Sequence, residues 1–193
     1  MKNRISYIIF IIVLITALCR IFYININAEK PVSEIIPAGE TAEIKDNFFD
    51  KSDESMDGYA VTVRQSEIVP AGEYLARYGH TIDEQLYSDL EYYYIVRVIV
   101  TNKNNQFVGE RGIDFGRWYI QGNDYILKIE DFAYSLSNET VGNSMQISLR
   151  ENSDMEFILP FYIFNRSHSY EKISDDSCYL VISDYPEKLM LEL

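Results

Sequence analysis

Eleven residues, Tyr92-Tyr-Tyr-Ile-Val-Arg-Val-Ile-Val-Thr-Asn102, constrain this chain more than any other stretch. Side chains alternate across an extended strand. Tyr92, Tyr94, Val96, Val98 and Val100 therefore form one stripe, and Tyr93, Ile95, Arg97 and Ile99 the other. Both stripes are mostly apolar and rich in β-branched or aromatic residues, the pattern of a central strand covered on both faces.

Shorter runs of the same character surround it. Tyr59, Val61 and Val63 alternate with Ala60, Thr62 and Arg64, and Ile68-Val69 close that run before Pro70. Downstream stand Phe107–Val108, Trp118–Gln121, Tyr125–Ile129, Met145–Leu149, Met155–Phe164, Cys178–Ser183 and Leu189–Leu193, with Gly109, Gly112, Gly116, Gly122 and Gly142 between them. Many short strands separated by turn residues predict a mainly β fold, an antiparallel sandwich or barrel. Two short helices are expected beside the strands. One covers Gly72–Tyr78 and stops at Gly79; the other follows the capping-box spacing of Thr81 and Glu84, with Ile82 and Leu86 on one face.

The N-terminus is of another kind. Ile5–Leu18 contains no charge, and Ile21-Phe-Tyr-Ile24 continues the run past Cys19 and Arg20. With Arg20 snorkelling, residues 5–24 make a helix of about 30 Å, enough to cross a hydrocarbon core. Lys2 and Arg4 precede the run and place the N-terminus in the cytoplasm, the body outside. Three export readings are open: a retained single-pass anchor, a signal cleaved after Ile26-Asn27-Ala28 to release the body, and a lipoprotein modified at Cys19. The cleavage pattern has a bulky Ile26, and the lipoprotein pattern has Leu18 where a small residue belongs.

This split explains the charge. The chain of 193 residues carries 17 Lys+Arg and 30 Asp+Glu, a net −13. Lys2, Arg4 and Arg20 are its only charged residues before Glu29, so the remainder stands at −16. Such a body lacks the basic footprint of a nucleic-acid binder. Residues 1–28 are thus the anchor or signal segment. Residues 29–47, broken by Pro31, Pro37 and Gly39, are expected to be an extracellular linker, and 48–193 the folded domain. Phe48-Phe49 is expected to dock on that domain as a first short strand.

Catalytic and metal-binding patterns are sparse. An EF-hand starting at Asp50 needs Gly and Glu where Ser55 and Val61 stand, which leaves only an irregular calcium site open among the acidic clusters. His80 and His168 lie apart in turn-like settings, no ligands have zinc spacing, and Gly142-Asn-Ser-Met-Gln146 lacks the second glycine of a nucleophile elbow. Asp83, Glu84, Asp89 and Glu91 read as a solvated face. Cys178, at the start of an apolar run, reads as a buried small hydrophobe. No catalytic residue, metal site or cofactor is expected, and the chain is not read as an enzyme; an unrecognised hydrolase is the alternative.

The order of Gly58-Tyr59 opening a strand, Glu73-Tyr-Leu-Ala-Arg-Tyr-Gly79, Tyr93–Asn102, Trp118–Gly122, Leu159-Pro-Phe161 and Tyr185-Pro186 before a last strand resembles a family of uncharacterised Gram-positive envelope proteins. Their body is a domain of unknown function. The resemblance implies one N-terminal hydrophobic segment and an immunoglobulin-like extracellular β-sandwich, and it brings no catalytic residues with it. The expected role is a non-catalytic module tethered to the membrane through residues 5–24, whose partner is another envelope or secreted protein. The alternative is a carbohydrate-binding module. The 16 tyrosines prompt it, because aromatic rings on an exposed sheet stack on sugars. Its candidate platform is Tyr92, Tyr93, Tyr94, Trp118 and Tyr119; the competing reading has those rings filling the sandwich core.

Overall fold

The computed structural model describes residues 2–27, 32–51, 54–81, 89–107, 109, 111–142, 144–164 and 170–193. The chain forms two compact units, 1–31 and 32–193. The first is a helix, α1 (Lys2–Asn27), whose segment Phe10–Asn27 is long and apolar enough to cross a membrane by length and composition. A signal sequence satisfies the same criterion.

The second unit is a β-sandwich. Its strands are β1 (Val32–Ile36), β2 (Thr41–Glu43), β3 (Tyr59–Pro70), β4 (Leu90–Asn102), β5 (Ile113–Asp114), β6 (Tyr119–Gln121), β7 (Ile126–Lys128), β8 (Gln146–Ile147), β9 (Ser153–Phe164), β10 (Tyr179–Ser183) and β11 (Glu187–Glu192). One sheet has the order β2-β3-β4-β9 and the other β1-β11-β10-β6-β7, while β5 and β8 form a small ribbon. Among these strands every pairing is antiparallel except that of β1 with β11.

The long strand β4 sits between β3 and β9, as its two apolar stripes require. Tyr94, Val96, Val98 and Val100 enter the main core between the sheets, with Phe157, Leu159 and Phe161 from β9. Tyr93 and Ile95 lie on the opposite face, in a second cluster with Val69, Tyr74 and Leu75. That face is covered by α2 (Ala71–Arg77) and α3 (Asp131–Ser137). In α2 the buried Ala71, Tyr74 and Leu75 form an i, i+3, i+4 stripe, and Arg77 pairs with Glu73 at 2.8 Å on the solvent side.

Helix α3 has no counterpart among the sequence expectations. Its N-cap is Glu130, whose carboxylate accepts the Phe132 and Ala133 N–H groups. Glutamate is outside the usual capping set, so no sequence signature marks the start. A further short helix, α4 (Tyr170–Ser174), was likewise unannounced. The expected helix after Thr81 falls on residues 82–88, which lie outside the described residues.

The linker boundary requires correction. Residues 32–47 belong to the sandwich: β1 and β2 are strands of opposite sheets, and Ala42 and Ile44 are buried in the main core. Pro37 and Gly39 only turn the chain from one sheet to the other, closed by Glu40 N–H on Pro37 O at 3.0 Å. Phe48 docks as expected, but through a single bridge to Tyr185 rather than a strand. Phe107 belongs to no strand, and Val108 lies outside the described residues. Close approach also explains Gly112, where a Cβ would stand 2.0 Å from the Ile147 carbonyl oxygen and separate the β5–β8 ribbon.

Candidate interaction surface

The five candidate aromatics do not form one exposed surface. Trp118 is fully buried, Tyr93 is 1% exposed, and Tyr94 and Tyr119 are each 8% exposed. Only Tyr92 is half-buried, and its ring stacks on Tyr170 at 4.7 Å. Tyr93 and Tyr94 lie on opposite faces of β4 because neighbours in a strand must. Trp118 follows a short 3-10 turn (Phe115–Arg117) that aims it inward, edge-on to Phe115 at 4.9 Å. Tyr119 lies on the outer face of the five-stranded sheet, under Phe49 and in a small cluster with Val181 and Met190. Lys128 and Lys188 stand over its ring at 4.7 and 5.2 Å, and its hydroxyl donates to Asp184 at 2.8 Å. These rings fill cores, so the sugar platform is not formed.

The candidates for reactive chemistry are also occupied. Cys178 is 3% exposed, its thiol 3.4 Å from the Tyr94 hydroxyl. Burial pushes both groups up from their ordinary values, so the thiol stays protonated at neutral pH. His80 is exposed and meets the edge of Phe132; His168 lies outside the described residues. A cleft of about 290 Å³ is lined by Arg111, Ser144 and Ser148. Its hydroxyls are engaged, Ser144 donating to Gln146 O and Ser148 donating to Phe107 O while accepting the Gly109 N–H. Among the described residues no group of three or more His, Cys, Asp or Glu is placed to hold a metal ion.

Among the described residues Glu54 is the one buried carboxylate, 5% exposed. Its Oε2 accepts the Phe49 and Asp50 N–H groups at 2.7 and 2.9 Å, tying the two ends of its own segment together. Its Oε1 is buried without a partner among the described residues. Burial pushes Glu54 above the usual carboxylate range, against the lowering effect of those two N–H groups and of Arg117. A folded value above the unfolded one means that the carboxyl favours folding most when protonated. This advantage is complete below the unfolded value and fades as pH rises through the folded one. Replacing Glu54 by Gln should therefore flatten the stability profile above about pH 4.5. Urea melts of both proteins between pH 4 and 8 check this; a wild type that gains stability over Glu54→Gln as pH rises would contradict it.

The surface missed by sequence reasoning is the edge of β1. At one side of the sandwich the sheets meet, with Ile129 bridged to Phe161 and the Glu130 N–H on Pro160 O at 2.9 Å. At the other side the edges are β2, three residues long, and β1, five residues long. Val32, Ser33, Glu34 and Ile35 are all exposed, and Ile36 packs partly against the main core. The signal was present in Val-Ser-Glu-Ile-Ile, a β-branched run between Pro31 and Pro37, but the flanking prolines read as linker.

Comparison with known proteins finds no match among curated proteins. Among solved structures, the chain is similar to an uncharacterised β-sandwich protein from Clostridium difficile 630, with 13% identity and a TM-score of 0.47 over 86% of this chain and 98% of that one. Residues 33–189 match the family model described as Domain of unknown function (DUF5028), a span that starts inside β1 and ends inside β11, and the chain belongs to that family.

Proposed function

We propose that this protein is a membrane-tethered, extracytoplasmic β-sandwich that works as a non-catalytic protein-interaction module of the cell envelope. The observation that carries the reading is the open edge of β1, a row of exposed residues on an otherwise well-packed sandwich. Exposed strand edges are sites where other chains add on. The apolar α1 supports the tether, Lys2 and Arg4 support a cytoplasmic N-terminus, and the strongly acidic body suits a location off anionic lipid and nucleic acid. On the same reading the sandwich is immunoglobulin-like and the envelope Gram-positive.

The test places a photo-crosslinking residue at Ile35 of the full-length chain and, separately, at Glu156 on the four-stranded sheet. The full-length protein is expected in the membrane fraction, with a discrete adduct from position 35 and none from 156. Recovery of a chain beginning at Glu29 from the medium would replace the tether by a cleaved signal. Absence of an adduct at both positions would remove the interaction reading.

A further inference from the structure

We infer that the outer edge of β1 is a strand-addition site for an extended polypeptide segment that sets a cationic side chain opposite Glu34. This rests on the interaction reading above and deepens it by naming the chemistry of the partner.

The edge has the properties of a template. Val32–Ile36 contains no Pro or Lys, two of the residues that blunt natural edges, and Val32 and Ile35 are 60% and 53% exposed. Its pairing to β11 occupies one side only, since β1 ends the five-stranded sheet. An added strand would continue that sheet through backbone hydrogen bonds and pack its side chains beside Val32 and Ile35.

Glu34 selects the occupant. The side chains of β1 alternate: Ile35 is in register with Met190 of the outer cluster, whereas Ile36 packs against the main core. Glu34 shares the side of Ile36 and is in register with Leu189, a core residue. A carboxylate thus sits on the apolar rim of the sandwich, exposed, with no ion-pair partner among the described residues. A charge so placed discourages indiscriminate pairing unless the incoming strand neutralises it.

A second copy of the chain fits poorly. Two-fold antiparallel pairing of β1 with itself, centred on its middle residue, sets Glu34 against Glu34. Either neighbouring register that keeps the symmetry leaves only three residue pairs. Each body also carries −16, and a five-residue edge buries far less than the roughly 800 Å² per partner of a stable dimer. Lysine or arginine opposite Glu34 turns this cross-strand repulsion into attraction and complements the body charge.

The experiment uses the full chain in neutral detergent micelles and fluorescent peptides of alternating Val and Thr. The three peptides differ only in a central Lys, Glu or Pro, and anisotropy reads their binding. The Lys peptide should bind about fivefold more tightly than the Glu peptide, and the Pro peptide, which cannot complete the ladder, should not bind. The double substitution Val32→Lys/Ile35→Lys should abolish binding, and Glu34→Lys should invert the Lys/Glu preference. Both variants change exposed side chains, so their thermal midpoints should match the wild type. Equal binding of all three peptides, no binding of the Lys peptide, or binding unaffected by Val32→Lys/Ile35→Lys would overturn the proposal. Self-association that the double substitution abolishes would assign the edge to a second copy and overturn the choice of occupant. If the peptide test fails while the Ile35 adduct persists, the interaction reading stands and only this partner chemistry falls.

Discussion

Replacing Trp118 by alanine is expected to lower the unfolding free energy by about 3–5 kcal/mol, the cost of emptying a large aromatic site in a close-packed core. The indole is fully buried against Phe115, and Phe115 in turn packs on Phe157 and Tyr134. A void there removes contacts from the ribbon side and from β9 together. Since whole domains are stable by only about 5–15 kcal/mol, the loss should lower the melting temperature by roughly 10 °C. Trp118→Phe should cost markedly less. The indole N–H has no hydrogen-bond partner among the described residues, so its removal strands no acceptor and only volume is lost. Calorimetry of the three proteins checks the order. A Trp118→Ala protein with unchanged stability would mean that the ring is not a core residue.

Asn102→Ala is expected to cost about 2–4 kcal/mol through backbone groups left without partners. The Asn102 side-chain amide donates to the Asn105 and Leu149 carbonyls at 2.9 and 2.7 Å, and its oxygen accepts the Asn105 N–H at 2.7 Å. Asn105 extends the network by donating to the Ser55 and Asp57 carbonyls. The two amides, one ending β4 and one in the turn after it, therefore join that turn, the segment before β9 and the segment just before β3. Aspartate should not rescue, because it supplies no donor and directs negative charge at two carbonyl oxygens. Denaturant midpoints measure the cost, and faster amide exchange of Asn105 should accompany it. Asn102→Ala and Asn105→Ala should combine to less than the sum of their separate costs, since they share partners.

Both predictions concern residues whose chemical type was readable and whose role was not. The Asn102–Asn105 segment read as turn chemistry, which is correct locally. Its bonds to Leu149, Ser55 and Asp57, however, span about fifty residues of sequence, and no local pattern encodes them. Trp118 stands among β-type residues, and strand propensity does not say which side of a sheet a ring faces. The half-turn at Phe115–Arg117, capped by Asp114 on the Gly116 N–H, decides that. The candidate platform failed for this reason: five aromatics close in sequence or composition were divided among three separate clusters.

The strand β1 is the opposite case, where punctuation concealed an element. Prolines at 31 and 37 broke the pattern into five residues with no alternating burial, and only pairing with β11, some 150 residues later, makes them a strand. A parallel partner brought in by chain closure leaves no local trace.

By itself the sequence determined the apolar N-terminal segment, the acidic body, the central place of β4 and the mainly β architecture. These follow from periodicity and charge, which act within a few residues and survive any choice of topology. The tertiary structure alone decided which aromatics are interior, where the buried Glu54 clamps its segment, and which sheet edge stays open. Those outcomes depend on contacts between residues far apart in the chain, and burial is a property of the assembled layers rather than of any one strand.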